Sequence, residues 1–217
     1  MAGIKRASLV DQTYQRLRED IITLKIPMGT RLNASELQAE LEVSSTPIRE
    51  ALNRLRQEEL IVNENNIGAS VLTLDAHDVR EIHELALTLQ QAAVRLAMKS
   101  GDREVMAQEI NAQIDRYQNA RTSRDRVKAV HNLVAVFYHH CGNGRLDRSM
   151  VAIQGQVLLL RYIYAECPGN EDHLADLTQM YDGVVQGNVD LICDAFQRYG
   201  ERSVPAIQAW LEKNRRT

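Results

Sequence analysis

Apolar residues near the start of the chain follow a helical period. They recur every three or four positions, at Val10, Tyr14, Leu17 and Ile21. Pro27 then breaks the pattern, as proline does at the end of many helices. The spacing therefore predicts a first helix over about 9–24, with one buried stripe and solvent on its other faces.

Two shorter helices are predicted next, separated by a tight turn. Asn33 followed by Glu36 is a capping pair typical of a helix start, and the second helix is expected to run through Leu41. A turn over 42–45 leads to Pro47, which suits the first turn of a third helix. The order of helix, tight turn and helix predicts a helix-turn-helix.

The third helix has two contrasting faces. Its apolar stripe consists of Ile48, Ala51, Leu52 and Leu55. At about 100° per residue, the opposite side holds Thr46, Arg49, Asn53 and Arg56. This polar face is free to contact another molecule.

A small β-hairpin is predicted after the third helix. The segments 60–62 and 69–72 are short and apolar, and 63–68 between them has the composition of a turn. A hairpin that follows a helix-turn-helix is a wing. Residues 1–74 are therefore expected to form a winged helix-turn-helix domain.

The pattern changes after Leu74, and from there helical spacing continues without a convincing strand. Asp75 is a suitable cap for a long helix that ends at Gly101. Further helices are predicted over 103–121, 125–141, 146–166, 172–186 and 189–215. Pro205 is expected to begin or kink the last one. Residues 75–217 are therefore predicted to be an all-α antiparallel bundle, and the fold class is mainly α.

Composition places the chain among ordinary globular proteins. Hydrophobic residues make up 44% and charged residues 25%, and no stretch approaches the roughly 20 apolar residues of a membrane helix. A cytoplasmic protein without a membrane partner is expected. Cys141, Cys167 and Cys193 lie too far apart for a zinc pattern and are expected to be free thiols.

Net charge does not favour nucleic-acid binding. The whole chain carries −3, and residues 1–75 hold nine Lys and Arg against eleven Asp and Glu. DNA-binding domains usually have a basic excess. Any DNA-binding function must therefore depend on where the basic residues lie.

Two segments resemble the winged-helix domain of the GntR superfamily of regulators. They read PMGTRLNASEL over 27–37 and LEVSSTPIREALNRL over 41–55. The C-terminal half more weakly resembles the all-helical effector domain of the FadR-like branch, known as the FCD domain. Its traces are QQAAVRLA over 90–97, CGNGRL over 141–146 and VVQGNVDLICDAF over 184–196.

The first resemblance implies a double-stranded DNA partner and a homodimer that reads a palindrome. Residues matching DNA-contacting positions of the family are Ser44, Ser45, Thr46, Arg49 and the wing glycine, Gly68. Asn53 lies on the same helix face. Arg31, Lys5 and Arg6 are expected to contact phosphates. Many relatives have arginine at Ser45 and a basic residue near Asn66 and Ile67, so the operator is expected to differ.

A purely structural role is the alternative for these residues. Arg49 would then form a surface salt bridge with Glu50 or Glu36, and Ser44 to Thr46 would only cap the helix.

The second resemblance implies a metal held by one aspartate and three histidines. Aligned positions in this chain are Val130, Val134, Leu177 and Tyr199. No cofactor is therefore predicted, and an apolar pocket or filled core is expected instead. The family's arginine and glutamate on the first bundle helix are replaced by Ala86 and Gln90.

The histidines offer a further metal alternative, which the sequence disfavours. They are His131, His139, His140 and His173, and no carboxylate shares a convergent spacing with them. Exposed or helix-end positions are expected for them.

Arg161 interrupts the apolar run over 157–163, and a charge placed there needs a partner. One hypothesis is an anionic small-molecule effector. Its site would consist of Arg161, Tyr162, Tyr199, Val130 and Val134. The other is an internal carboxylate such as Asp115 or Glu84.

The leading interpretation is an allosteric transcription regulator, acting as a repressor or an activator. Its helical domain would sense an effector, or would only dimerise if it has lost that ligand. An enzyme is the alternative from another class, for instance a helical metal-dependent hydrolase using His139 and His140. A helical protein-interaction module is a third possibility, but it would not explain the winged helix.

Overall fold

A computed structural model describes residues 8–64, 68–168 and 173–214. The chain divides into two compact units, Met1–Leu74 and Asp75–Thr217, called here the winged unit and the helical unit. The predicted fold class is confirmed, since the chain is mainly α with one small hairpin.

Among its described residues, the winged unit contains three helices and a two-stranded antiparallel sheet. Its elements are α1 (Leu9–Ile22), α2 (Ala34–Leu41), α3 (Ser45–Gln57), β1 (Ile61–Glu64) and β2 (Gly68–Val71). Apolar side chains from all three helices and the hairpin are buried together, among them Leu17, Ile21, Leu37, Ile48, Leu55, Leu60, Ile61 and Val71. Burying this apolar surface holds the three helices in place.

Local backbone geometry explains where the boundaries differ from the predicted ones. The first helix ends at Ile22, because Leu24 has a left-handed φ of 60° that ends the helical path. The turn before α3 is one residue shorter than predicted, so Pro47 is the third residue of the helix. The wing residues Asn66 and Ile67 lie outside the described residues.

The hairpin is attached to the chain before α2, which the sequence did not indicate. The Leu32 N–H donates to the Ala69 carbonyl at 2.8 Å, and the Val71 N–H donates to the Thr30 carbonyl at 2.9 Å. An isolated bridge also pairs Arg31 with Ser70. These bonds fix β2 on both sides, so the base of the wing is firmly positioned.

The helical unit contains six helices among its described residues, as predicted. They are α4 (Ala76–Ser100), α5 (Arg103–Gln118), α6 (Ser123–His140), α7 (Gly144–Ala165), α8 (Leu174–Gln186) and α9 (Val189–Asn214). Asp75, Asp102, Thr122 and Asn143 cap the first four, each accepting backbone N–H bonds. Pro205 lies exposed inside α9 and does not begin a separate helix.

Helix α7 is enclosed by the rest of the bundle. Every residue from Gly155 to Tyr164 is buried, so this stretch has no solvent face. All three cysteines are also buried and free, as predicted. In the part of the chain that the structure describes, no helix is long and apolar enough to cross a membrane.

Close packing of α4 against α9 depends on a glycine. A Cβ atom built on Gly200 would overlap the imidazole of His83, whose Nε2 and Cε1 atoms lie against the glycine. His83 is half-buried, and burial lowers its pKa below the usual value. The small residue on α9 therefore makes room for the histidine on α4.

Replacing Gly200 tests this packing. We expect Gly200→Ala to lower the free energy of unfolding by about 1–3 kcal/mol, because the new methyl group displaces the imidazole. The same substitution in a His83→Ala background should instead stabilise by up to about 1 kcal/mol, because alanine is the better helix former. Chemical denaturation of the four proteins measures both effects. Equal changes in the two backgrounds would contradict the proposed contact.

Candidate functional site

Helix α3 presents a polar face to solvent because its apolar stripe anchors it in the winged unit. Ile48, Ala51 and Leu55 are fully buried, as the periodicity predicted. Thr46, Arg49, Asn53 and Arg56 are exposed on the opposite side. The residues predicted to contact DNA from this helix therefore share one accessible surface.

The first turn of α3 is left open. Ser44 occupies the N-cap position with an extended backbone, but its side chain makes no capping hydrogen bond. The caps of α1 and α2, Ser8 and Asn33, do accept such bonds. Ser44 therefore occupies the cap position, as the structural alternative expected, but its side chain does not cap the helix. Its hydroxyl and the first N–H groups of α3 are available to an external acceptor.

Two other arginines near this helix form ion pairs within the winged unit. Arg54 pairs with Asp11 of α1 at 2.7 Å and lies 5.6 Å from the centroid of the Tyr14 ring. Arg18 pairs with Glu58 at 2.7 Å, and the Tyr14 hydroxyl also donates to that carboxylate. Burial, followed by Glu58, raises the pKa of Tyr14 to about 12. These contacts join α1 to α3.

Arg49 differs from them. It is exposed, and among the described residues it makes no ion pair. One of the carboxylates considered as its partner, Glu36, instead accepts from the Asn33 side-chain amide at 3.0 Å. The salt bridge with Glu50 or Glu36, considered as the alternative role of Arg49, is therefore not formed, and its guanidinium is accessible to a ligand.

The remaining predicted contacts lie beside the wing. Arg31 is exposed at the bridge to Ser70. Gly68 is exposed at the start of β2 with a φ of 96°, a backbone conformation that favours glycine. Ser45 is half-buried at the start of α3. Lys5 and Arg6 lie outside the described residues.

The helical unit contains two adjoining cavities of about 50 Å³ each. Four residues line both of them, namely Val130, Arg161, His173 and Tyr199. One of them, called here the inner cavity, is otherwise bounded mostly by apolar side chains of α4, α6, α8 and α9, including Ala86, Val134, Leu177, Met180 and Phe196. The other, called here the outer cavity, includes Arg126, which is exposed.

Most of the residues predicted for an effector site meet at these cavities. Val130, Val134, Arg161 and Tyr199 all line the inner one. Tyr162 lines neither cavity, and its hydroxyl instead interacts with Arg124. The neighbouring α7 residue that does reach the outer cavity is Tyr164, because it lies on a different side of the helix.

The residues at the family's metal positions do not fit a metal ion. Val130, Val134, Leu177 and Tyr199 meet at the inner cavity, but the first three have no atom that could coordinate a metal. No group of three or more His, Cys, Asp or Glu is placed to hold one anywhere in residues 8–64, 68–168 and 173–214.

The histidines differ in exposure and surroundings more than the sequence predicted. His139 is exposed, and His140 lies 3.0 Å from a Glu109 carboxylate oxygen. His173 lines both cavities, and its ring packs against Tyr164 and Tyr199. His131 is half-buried against α7. The expectation of exposed or helix-end positions is therefore wrong for His131, and His173 is a helix-end residue that faces the cavities.

Arg161 is the central polar group of the cavities. It is only 8% exposed, and its guanidinium bonds to the Tyr199 hydroxyl and lies 3.4 Å from His131 Nδ1. Because a guanidinium only donates, that imidazole nitrogen must accept. Burial lowers the pKa of Arg161 and raises that of Tyr199 to about 12. A charge in this position is costly unless something compensates it.

No carboxylate of the described chain compensates Arg161. Asp115 and Glu84, the internal partners considered from the sequence, are both exposed and make no ion pair with it. Asp176 does line the inner cavity, but its two oxygens pair with Arg198 at 3.5 Å and with Arg202. The internal-carboxylate hypothesis is therefore wrong.

Sequence reasoning missed several polar residues that line the inner cavity. They are His83, Gln90, Asp176 and Ser203, which come from α4, α8 and α9. Gln90, Asp176 and Ser203 are each less than 9% exposed. The available signal was a polar residue on an otherwise apolar helix face, as with Arg161.

A helix-turn-helix with an exposed polar second helix and an attached hairpin defines a winged-helix DNA-binding domain. The sequence profile described as "Bacterial regulatory proteins, gntR family" matches residues 9–71, and that of the FCD domain matches residues 81–202. The chain therefore belongs to the GntR family of bacterial regulatory proteins, in the branch with an FCD domain. This is a family of transcription regulators and not of enzymes.

Known relatives agree with this assignment. The chain is 44% identical over 78 residues to the Nta operon transcriptional regulator of Aminobacter aminovorans, which covers 36% of this chain and 37% of that protein. The first curated relatives each match over less than half of their own length.

Solved structures share the fold over nearly the whole chain. A GntR transcriptional regulator from Rhodococcus sp. RHA1 superposes with a TM-score of 0.74 at 22% identity, covering 94% of this chain and 99% of that one. E. coli McbR/YncC gives 0.76 at 16% identity, covering 96% and 99%. At these identities the likeness establishes the fold alone.

Removing the buried charge tests whether Arg161 stabilises the unliganded protein. We expect Arg161→Met to leave the free energy of unfolding unchanged or to raise it by about 1–4 kcal/mol, because an apolar side chain avoids the cost of burying a charge. Tyr199→Phe is the matched control, expected to lower it by about 1–3 kcal/mol since it removes an acceptor from a buried donor. Thermal and urea denaturation measure both. A clear loss of stability in Arg161→Met would show that the arginine holds the bundle together.

Proposed function

We propose that this protein is a sequence-specific transcription regulator that binds a palindromic operator as a homodimer. The observation that carries the proposal is the exposed polar face of α3, with Arg49 unpaired among the described residues and the first turn uncapped. A helix of this kind fits the major groove, where its first residues reach base edges.

Each residue of the face has a role that suits its chemistry. Arg49 can donate two parallel bonds to guanine, and Asn53 can pair with adenine. Ser44, Ser45 and Thr46 offer hydroxyls and N–H groups to phosphates at the start of α3. Outside α3, Arg31 supplies a phosphate contact, and Gly68 lets the wing backbone approach the minor groove.

The acidic balance of the winged unit does not oppose this proposal. Asp11 pairs with Arg54, and Glu58 pairs with Arg18. Asp20 is matched by both Arg16 at 2.6 Å and Lys25 at 3.2 Å. These pairs leave the net charge of the domain unchanged, so DNA binding depends on where unpaired basic residues such as Arg49 lie, while salt screens the more distant acidic groups.

Dimer formation follows from how much DNA one helix can read. A single recognition helix contacts only a few base pairs, so a palindrome needs two helices about one helical turn apart. We assign dimerisation to the helical unit. The cavity around Arg161 supports a ligand that changes operator affinity, since a unit used only for dimerisation has no need of a buried charge.

Substitutions on α3 test the DNA-binding face. Arg49→Ala should weaken binding to the selected operator by about 1–3 kcal/mol and relax the preference at the base that it reads. Arg54→Ala, on the same helix but paired with Asp11, should change it by less than about 0.5 kcal/mol. Fluorescence anisotropy at several salt concentrations measures both. Equal effects of the two substitutions would argue against α3 as the reading helix.

Selection from a library of short random duplexes tests the dimer and supplies that operator. We expect a palindrome whose half-sites lie about one helical turn apart, and sedimentation should give a mass twice that of the chain. Enrichment of a single half-site would overturn the dimeric arrangement. Failure to enrich any sequence at low salt, where phosphate contacts are strongest, would overturn DNA reading itself.

A further inference from the structure

We propose that the cavities around Arg161 bind a small carboxylate with an apolar body directly, without a metal ion. This inference deepens the proposed function, because it names the chemical class of the effector, and it therefore rests on that function. Arg161 carries a buried positive charge, and Asp176 is already paired with other arginines. The cavity walls are mostly apolar, and three of the four residues at the family's metal positions cannot coordinate a metal.

The guanidinium of Arg161 has donors to spare. It offers five N–H groups, and its acceptors in the described chain are one nitrogen of His131 and the hydroxyl of Tyr199. A carboxylate matches the planar fork of a guanidinium with two parallel hydrogen bonds. Such a ligand would satisfy the remaining donors and neutralise the buried charge together.

The surroundings favour an anion over a cation or a zwitterion. The carboxylate of Asp176 is the acidic group of the inner cavity, and it already pairs with Arg198 and Arg202. The outer cavity adds a second guanidinium, that of Arg126, which stacks on the Tyr117 ring at 5.8 Å. Among the described residues, the cavities therefore have an excess of positive charge.

The walls determine the rest of the ligand. Apolar side chains from four helices, such as Ala86, Val134, Leu177 and Phe196, surround the inner cavity. These offer dispersion contacts, while His83, Gln90 and Ser203 add polar groups to the same cavity. The carboxylate should lie at Arg161, with an unbranched or aromatic body of a few carbons in the inner cavity.

Size limits the ligand as well. Each cavity is about 50 Å³, room for a few waters, and Val130, Arg161, His173 and Tyr199 line both. A ligand bound at Arg161 therefore lies where the two cavities adjoin. A compact monocarboxylate fits such a site better than a larger, highly charged ligand.

The family positions that would hold a metal support direct binding. Val130 and Val134 stand where the resemblance places the aspartate and a histidine, and both line the cavity that Arg161 enters. Without those ligands a metal cannot be the group that receives a carboxylate here. In this chain the guanidinium provides the positive charge instead.

Titration calorimetry on chelator-treated full-length protein tests the inference. The probes are benzoate and butyrate, with benzamide as the uncharged counterpart of benzoate. We expect both carboxylates to bind and benzamide to give no measurable heat. Arg161→Gln should weaken binding at least about tenfold, whereas Arg148→Gln, an exposed arginine on the same helix, should leave it unchanged. If the glutamine variant does not fold, Arg161→Lys replaces it, and its affinity should also fall because the planar fork is lost.

Four outcomes would overturn direct carboxylate binding. They are no heat with either carboxylate, equal binding of benzamide, binding only after zinc or manganese is added, and unchanged affinity in the Arg161 variants. Operator binding is measured on the same samples. If the protein binds a selected duplex but does not bind the carboxylates, this inference is rejected. If no sample binds a selected duplex, the proposed function is rejected.

Discussion

The helical unit is built around a positive charge for which the described residues supply no carboxylate. Because α7 is buried on every side from Gly155 to Tyr164, the guanidinium of Arg161 cannot reach bulk water. Its partners must come from neighbouring helices, and Tyr199 of α9 and His131 of α6 provide them. Both partners accept hydrogen bonds without carrying a negative charge, so among the described residues the hydrogen bonds of Arg161 are met in part and its charge is not balanced. The two cavities lie where these helices meet.

The arginines of the winged unit differ in whether a carboxylate lies close to them. Arg18 and Arg54 have carboxylates close by and hold α1 against α3. Arg49, on the outer face of α3, has no such partner in the described chain. Pairing therefore separates the residues that maintain the domain from one that is available for recognition. Sequence alone could not make this distinction, because all three are arginines on amphipathic helices.

Local patterns predicted the helices well, since spacing and caps are encoded within a few residues. Asp75 with Asp78 forms the capping box that begins α4, for example. Contacts between distant segments were harder to predict. The attachment of β2 to Thr30 and Leu32, and the pairing of Asp176 with Arg202, join segments that no local pattern connects. Arg161 was recognised as unusual from its apolar neighbours, but its partners depend on how α6 and α9 pack. The assignment of Tyr162 to the effector site was wrong for a similar reason. Helix α7 is buried on every side, so its hydrophobic pattern cannot show which face a residue occupies.

The three buried cysteines restrict which chemical changes the protein can report. Cysteines that sense oxidants are exposed and ionise readily, whereas burial raises the pKa of the Cys167 and Cys193 thiols. Cys167 is further occupied by donating to the Ile163 carbonyl at 3.3 Å. Peroxide or an electrophile would meet enclosed sulfur atoms, and at Cys167 and Cys193 burial also disfavours the reactive thiolate. These cysteines are therefore a poor input for a signal carried by the oxidation state of the cell.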